Sequence, residues 1–261
     1  MCFSVCIDAV FRGLDPLAAL EKVREAGFAE YEFWGWWNKD IEALKARASL
    51  LSLKCRCLCV QNIGLTDPDR RGVYLAALKD TIEAAKKLGA PCIISQLGMD
   101  TGAARAFQHR AIVAGLKAAA APLEDSGLVL LAEPLNGRVN HTGTYLESSD
   151  EGFELIEEAG SKNIRLLFDI YHQQITEGDI ISRISAHIDL IGHFHAAGVP
   201  GRHELFLGEL DYGRIFKAID TLGYTGAVGL EYFPEKIAAG AGDGELALES
   251  LKTTGRHYEL F

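Results

Sequence analysis

Long apolar runs are missing from this sequence of 261 residues. No stretch approaches the roughly 18 apolar residues that a membrane-spanning helix requires. The first residues, MCFSVCIDAVFRGLDPL, also lack the basic start, the long apolar segment and the small-residue cleavage site of a secretory signal. These absences argue against a membrane partner and against export, and we expect a cytoplasmic protein.

Basic residues are also scarce. The chain has 26 Lys and Arg against 36 Asp and Glu, a formal net charge of -10. Because proteins that bind nucleic acids rely on clustered Lys and Arg, this balance argues against a nucleic-acid partner and favours a small molecule. Cys-X-X-Cys turns are missing as well, although the chain has six cysteines. Structural zinc knuckles use such turns, so we expect free thiols.

Linkers and low-complexity segments are absent too, and one pattern runs along the whole chain. Short apolar strand-like runs alternate with segments of helical period, from FSVCIDAVF and PLAALEKVREAG to AVGLEYFP and a C-terminal helical segment. Eight such pairs imply parallel strands with helical crossovers, and at this length they favour a closed barrel. The sequence therefore predicts an α/β protein, a single (β/α)8 TIM barrel domain spanning residues 1–261.

Acidic and imidazole side chains mark the ends of the late strands. They are Glu133 in LLAEPLN, Asp169 in LLFDIYH, His195 in IGHFHAAG and Glu231 in VGLEYFP. Any one alone could simply cap the next helix. Burying several carboxylates is costly unless a cation compensates them, so four such groups at one rim predict a divalent metal ion. His193 shares a strand face with His195, and we expect it lower in the barrel, in the core or behind the ligands.

The ligand types indicate which metal ions and which chemistry to expect. Three carboxylates and one imidazole suit Mn²⁺, Mg²⁺ or Co²⁺ better than structural zinc, and we expect Mn²⁺ among these. Such an ion binds a carbonyl oxygen and an adjacent hydroxyl, acidifies the carbon-bound proton between them and stabilises an enediolate. The site therefore predicts an isomerase that acts on a small hydroxy-ketone or ketose through a cis-enediolate, with one metal-binding glutamate as the base.

Several segments also carry a family resemblance. They are EPLN at 133–136, FDIYH at 168–172, GHFH at 192–195, PGRHE at 200–204, GELDY at 208–212 and GLEYFP at 229–234. Together they resemble the xylose-isomerase-like TIM barrels over most of the chain. The resemblance implies metal ligands at Glu133, Asp169, His195 and Glu231, with the two glutamates doubling as catalytic acid and base. It also implies that His172 and Arg202 bind the substrate oxygens.

Two subfamilies of these barrels remain open. The PGRHE and GELDY segments look like hydroxypyruvate isomerase, whereas GHFH and TGAVGLE look like D-tagatose and D-psicose 3-epimerases. Hydroxypyruvate isomerases typically carry Gln at the position of His195, and the epimerase pattern carries Glu at the position of Val139. We expect the hydroxypyruvate isomerase type, with the 3-epimerase as the alternative. Substrate length, stereochemistry and the oligomeric state stay open, and a homo-oligomer is compatible with the sequence.

Two other functions share this fold. A hydrolase of the endonuclease-four type needs more ligands from early strands, for which Glu30, Glu32 and Gln61 are the candidates, and a surface that faces DNA. A non-catalytic sugar-binding barrel has no need of paired metal-binding carboxylates. Trp34, Trp36 and Trp37 end the second predicted strand, where they either complete the packing or form an apolar wall against the substrate.

Overall fold

The computed structural model describes residues 1–237 and 242–261. In this part of the chain, parallel strands pair in sequence order and close into a barrel, because the first strand pairs with both the second and the last. The strands are β1 (Cys2–Cys6), β2 (Glu30–Phe33), β3 (Lys54–Cys59), β4 (Cys92–Ser95), β5 (Val129–Ala132), β6 (Ile164–Asp169), β7 (Ile191–Ala196) and β8 (Ala227–Leu230). The predicted (β/α)8 barrel is confirmed.

Helices surround the strands. Those described are α1 (Ile7–Val10), α2 (Pro16–Glu25), α3 (Ile41–Leu50), α4 (Arg71–Leu88), α5 (Arg105–Ser126), α6 (Ser149–Ala159), α7 (Ile170–Thr176), α8 (Ile180–His187), α9 (Tyr212–Thr221) and α10 (Gly244–Tyr258). Three of the described helices end at a glycine in the left-handed region, Gly89, Gly127 and Gly160. Among the described residues, none of the helices combines the length and the apolar character that a membrane crossing requires.

Two short helices lie where we predicted continuous strand. The run FSVCIDAVF leaves the sheet after Cys6 and continues as α1, and the run IRLLFDIYH leaves it after Asp169 and continues as α7. Short apolar runs do not distinguish a buried strand from a buried helix. At α7 the Asp169 carboxylate decides between them, because it accepts hydrogen bonds from the amides of Tyr171 and His172 and so starts the helix.

The core has two parts. A large apolar cluster fills the space between the barrel and its helices, and a small cluster that includes Cys57, Cys92, Ile94, Leu131 and Leu167 lies apart from it. The cysteines are free, as expected. The predicted ligands lie at the C-terminal ends of the strands, next to this packed interior.

Candidate metal centre and active site

The four predicted metal ligands lie together. Glu133 directly follows β5, Asp169 ends β6, His195 lies near the end of β7, and Glu231 directly follows β8. One donor atom of each lies within 4.8 Å of the others, and all four side chains are buried. The C-terminal ends of parallel barrel strands meet at one rim, which explains why residues spread over almost 100 positions converge here.

Asp169 acts in two ways at once. Its Oδ1 accepts the amide hydrogens of Tyr171 at 2.8 Å and His172 at 3.2 Å, which fixes the start of α7. Its Oδ2 lies 3.5 Å from His172 Nε2 and 3.6 Å from Arg202 Nη2, within the site. Helix capping and metal binding were alternatives for this residue in the sequence. Because Oδ1 caps the helix, Oδ2 remains available to bind a metal ion.

His195 lies at the centre of the acidic group. Its Nδ1 is 3.2 Å from Glu231 Oε2 and 3.5 Å from Glu133 Oε1, and it makes no hydrogen bond within the described residues. A buried ring nitrogen without a partner, facing carboxylate oxygens, is the donor arrangement that a divalent cation fits. These residues therefore suit the metal ion that the sequence predicts.

The two glutamates differ in their proton affinity. Burial raises the pKa of Glu133 to about 7, against the opposing effect of His195. Burial acts in the same direction on Glu231, but the charges of Arg202 and His195 prevail and hold the pKa of Glu231 below its ordinary value. Two carboxyl groups with separated pKa values are suited to acid and base roles.

His172 presents a proton donor to the site. Its Nδ1 accepts the Asn136 backbone amide hydrogen at 3.2 Å and lies 2.6 Å from Asn136 Nδ2, so the ring proton is on Nε2. That Nε2 has no hydrogen-bond partner among the described residues. Burial lowers the pKa of His172 well below its ordinary value, and the ring is neutral. A neutral imidazole with a free N–H group can bind a substrate oxygen.

Arg202 is not a solvated loop charge. Only 8% of the residue is exposed, and the guanidinium forms an ion pair with Glu231. It also lies over the Tyr171 ring at 5.3 Å and the Phe233 ring at 5.7 Å. Its backbone φ of 59° is in the left-handed region that L residues rarely adopt, so the loop turns sharply where this side chain enters the site.

A cavity of about 250 Å³ opens onto these groups. Its lining includes Glu133, His172, His195, Arg202 and Glu231, so it brings the predicted catalytic and substrate-binding residues together with most of the predicted ligands. Four further lining residues, which sequence reasoning did not assign to the site, are Cys59, Asn62, Gln96 and His141. They lie at or after the ends of β3, β4 and β5, and that position is the signal that could have identified them.

The tryptophans have separate roles. The Trp34 indole N–H donates to Glu231 Oε1 at 2.5 Å, the Trp36 indole N–H donates to Thr81 Oγ1 at 3.0 Å, and Trp37 lines the cavity. Trp36 thus packs against the core, while Trp37 lies where a wall against the substrate stays a prediction. The hydrogen bond from Trp34 to a candidate catalytic group was not foreseen.

In the described part of the chain, the additional metal ligands that a hydrolase of the endonuclease-four type needs do not join the group of four predicted ligands. Glu30 forms an ion pair with Arg56 at 2.5 Å at the opposite end of β2. Glu32 lies between His193 and His195, and Gln61 is not among the residues that line the cavity. His193 lies in the barrel interior behind His195, where we expected it.

The fold and the site together define a (β/α)8 barrel with a metal-capable acidic centre at the C-terminal ends of its strands. Residues 20–254 match the family described as the xylose isomerase-like TIM barrel. The chain belongs to this family, as the resemblance indicated.

Named relatives support the enzyme class. The chain is 36% identical over 177 residues to a 2-oxo-tetronate isomerase of Cupriavidus necator, covering 67% of this chain and 68% of the relative. It is 31% identical over 242 residues to the hydroxypyruvate isomerase of Escherichia coli, covering 89% and 93%. A D-psicose 3-epimerase structure from Clostridium cellulolyticum shares the fold, with 20% identity, coverage of 99% and 98%, and a TM-score of 0.81. The prediction of an isomerase is confirmed.

Proposed function

We propose that this protein is a divalent-metal-dependent isomerase of small 2-oxo hydroxy acids, of the hydroxypyruvate or 2-oxo-tetronate type, that works through a cis-enediolate. The observation that carries the proposal is the convergence of Glu133, Asp169, His195 and Glu231 at one end of a cavity that the buried cation of Arg202 also lines. The names of the two curated relatives give the substrate class.

The four converging side chains would hold the ion, and Mn²⁺ is our first choice, with Mg²⁺ or Co²⁺ as alternatives. When bound, a divalent ion supplies a Lewis acid that polarises the carbonyl oxygen of a substrate. His172 would donate its Nε2 proton to a substrate oxygen, and Arg202 would bind the substrate carboxylate through a charge-assisted contact.

The proton transfers can be assigned to the two glutamates. Glu231, the more acidic of the two, would take the proton from the hydroxyl-bearing carbon of the substrate. Return of a proton to the neighbouring carbon, together with transfer of the hydroxyl proton to the former carbonyl oxygen, completes the exchange of aldehyde and ketone without any net change in atoms or charge. Glu133 would supply the proton for this second transfer.

A ketose 3-epimerase is the second candidate. His195 Nδ1 has Glu231 on one side at 3.2 Å and Glu133 on another at 3.5 Å, so two carboxylates approach the same point from different strands. Epimerisation needs proton exchange on both faces of one carbon, which two such carboxylates can supply. Val139, however, is 64% exposed and apolar where the epimerase pattern has Glu. The position lacks a polar group that could bind a ketose hydroxyl, so we favour the acid substrates.

One experiment separates the candidates. The Mn²⁺-loaded protein is incubated in D₂O with hydroxypyruvate, D-fructose or D-tagatose, and proton NMR is recorded after removal of the metal ion. We expect deuterium at the hydroxymethyl carbon of hydroxypyruvate together with formation of an aldehyde. Deuterium at C3 of a ketose, with inversion, would favour the epimerase instead. No exchange in any of the three would refute the proposal. The cytoplasmic location and the homo-oligomer stay predictions.

A further inference from the structure

A buried carboxylate lies behind the candidate metal centre. Glu32, in β2, is 2% exposed, and its Oε1 is 2.9 Å from Nε2 of His195. That imidazole presents its other nitrogen, Nδ1, to Glu133 and Glu231. Both atoms are buried, and in the described part of the chain neither forms a hydrogen bond, with the other or with any further group. Glu32 therefore meets the ring on the edge that the four converging ligands leave free.

The second oxygen of Glu32 is held firmly. Oε2 accepts the Ser4 hydroxyl hydrogen at 2.9 Å and lies 2.9 Å from His193 Nε2. Because an ionised carboxylate only accepts hydrogen bonds, His193 Nε2 is the donor in this contact. Glu32 Oε2 thus has two donors, Ser4 and His193, which leaves Oε1 facing His195 Nε2 at 2.9 Å.

The neighbouring strand leaves room for this contact. Gly229 in β8 is paired with His195 in β7, and a Cβ atom added there would lie 2.2 Å from Glu32 Oε1 and 2.7 Å from His195 Cδ2. Real Cβ atoms essentially never come that close to another heavy atom. The contact between Glu32 and His195 therefore requires a residue without a side chain at position 229.

We propose that Glu32 is a positioning residue for the metal centre. Its carboxylate keeps the ring proton of His195 on Nε2, fixes the orientation of the ring and leaves the Nδ1 lone pair directed at the cation site. Histidine ligands commonly bind a metal ion with one nitrogen while the other donates to a carboxylate, and loss of that carboxylate typically weakens metal binding about 10- to 100-fold. The inference rests on the proposed metal dependence.

The test is metal binding, measured without substrate. Mn²⁺ affinity is obtained from the free-ion EPR signal, and the visible absorption spectrum of the Co²⁺-loaded protein reports the ligand geometry. In Glu32→Gln the amide has one acceptor oxygen for two imidazole N–H groups, so one histidine faces an NH₂ group. We expect Mn²⁺ binding to weaken by about tenfold or more and the Co²⁺ bands to shift.

Charge-preserving variants separate positioning from simple loss of a negative charge. Glu32→Asp keeps the charge but withdraws the carboxylate by one methylene, and Gly229→Ala displaces it with a Cβ atom. Both should weaken Mn²⁺ binding and shift the Co²⁺ bands. Gly192→Ala is the matched steric control, because its Cβ would lie 2.6 Å from Leu131 Cδ2 of β5, outside this contact. Melting temperatures and circular dichroism identify variants that fail to fold.

The outcomes are distinct. If the wild type does not bind Mn²⁺ or Co²⁺, both the proposed function and this inference are wrong. If the wild type binds and folded Glu32→Asp and Glu32→Gln bind within about threefold of it with unchanged Co²⁺ bands, the inference alone is wrong. Weaker binding in Glu32→Gln with an unchanged Co²⁺ spectrum would mean that Glu32 acts only through its charge, which also overturns it.

Discussion

Arg202 offers the sharpest test of the substrate class, and the structure shows how the test has to be designed. The guanidinium is buried and paired with Glu231, so Arg202→Ala removes a partner of the candidate base as well as a group that can bind substrate. Removing one partner of a buried ion pair costs about 3–5 kcal/mol of folding stability, and here it also deprives Glu231 of the charge that lowers its pKa. This loss should affect every substrate equally, because it arises from Glu231 and not from the molecule bound.

The informative quantity is therefore the difference between substrates. A carboxylate substrate loses a charge-assisted contact in Arg202→Ala that a neutral ketose does not have. Hydrogen bonds to charged groups contribute about 1.5–3 kcal/mol, which corresponds to a roughly 10- to 150-fold additional loss of kcat/KM. We predict a loss for hydroxypyruvate that exceeds the loss for D-tagatose by about tenfold or more. Arg202→Lys keeps the charge but not the planar guanidinium group. Its kcat/KM for hydroxypyruvate should therefore lie between the values for the wild type and for Arg202→Ala.

The assay is steady-state kinetics of wild type and both variants on the two substrates with Mn²⁺ present. Arg12→Ala is the control, because the Arg12 guanidinium also lies over Phe233, at 5.4 Å, but does not line the cavity. Arg12→Ala should leave the ratio between the two substrates unchanged. Equal losses on both substrates in Arg202→Ala would refute the reasoning and would favour the epimerase, as would failure to turn over hydroxypyruvate.

Three further predictions follow from the site. Chelation with EDTA should abolish turnover and lower the melting temperature, and Mn²⁺ or Co²⁺ should restore both; full activity of the chelated protein would contradict the metal dependence. Glu133→Gln and Glu231→Gln should each lose orders of magnitude in kcat, since the amide is near-isosteric but cannot take up a proton; the melting temperature should change little in Glu133→Gln and fall in Glu231→Gln, which leaves Arg202 without its buried partner, and a mild loss of kcat in both variants would contradict the acid and base roles. In the metal-free protein, the raised pKa of Glu133 means that the folded state holds a proton that the unfolded state releases near its ordinary value of 4.5. Its contribution to stability is complete below that value and is lost as the pH rises through about 7. The free energy of unfolding of the wild type, relative to Glu133→Gln, should therefore fall between about pH 5 and 8 in denaturant titrations, and parallel profiles would contradict the pKa.

The barrel and the ligand set were predictable because they depend on strand order. Glu133, Asp169, His195 and Glu231 each follow or end an apolar run, and parallel strands bring such ends together whatever the intervening loops do. The start of α7 was harder to predict. The run FDIYH is apolar enough for a strand, and only the hydrogen bonds from two amides to Asp169 show where the helix begins.

Contacts across the barrel interior could not be predicted from the sequence. Nothing in the segment YEFWGW says that Glu32 meets His195 or that Trp34 donates to Glu231, because those partners lie more than 150 positions away and depend on strand register. Gly229 illustrates the difficulty. From the sequence, a glycine inside a strand predicts a locally weaker strand. Only the structure shows that the carboxylate of Glu32, from β2, fills the space that a side chain at position 229 would take.

The three tryptophans of the chain lie together at the C-terminal end of β2, so their fluorescence reports on this rim of the barrel. All of them follow β2 within four residues, and the Trp34 indole N–H is bonded to a carboxylate of the metal-capable group. The tryptophan fluorescence of the protein therefore arises entirely from this rim. Any event that changes the electric field or the solvent around Glu231 acts on an emitter already in contact with it, so the protein carries its own probe of occupancy.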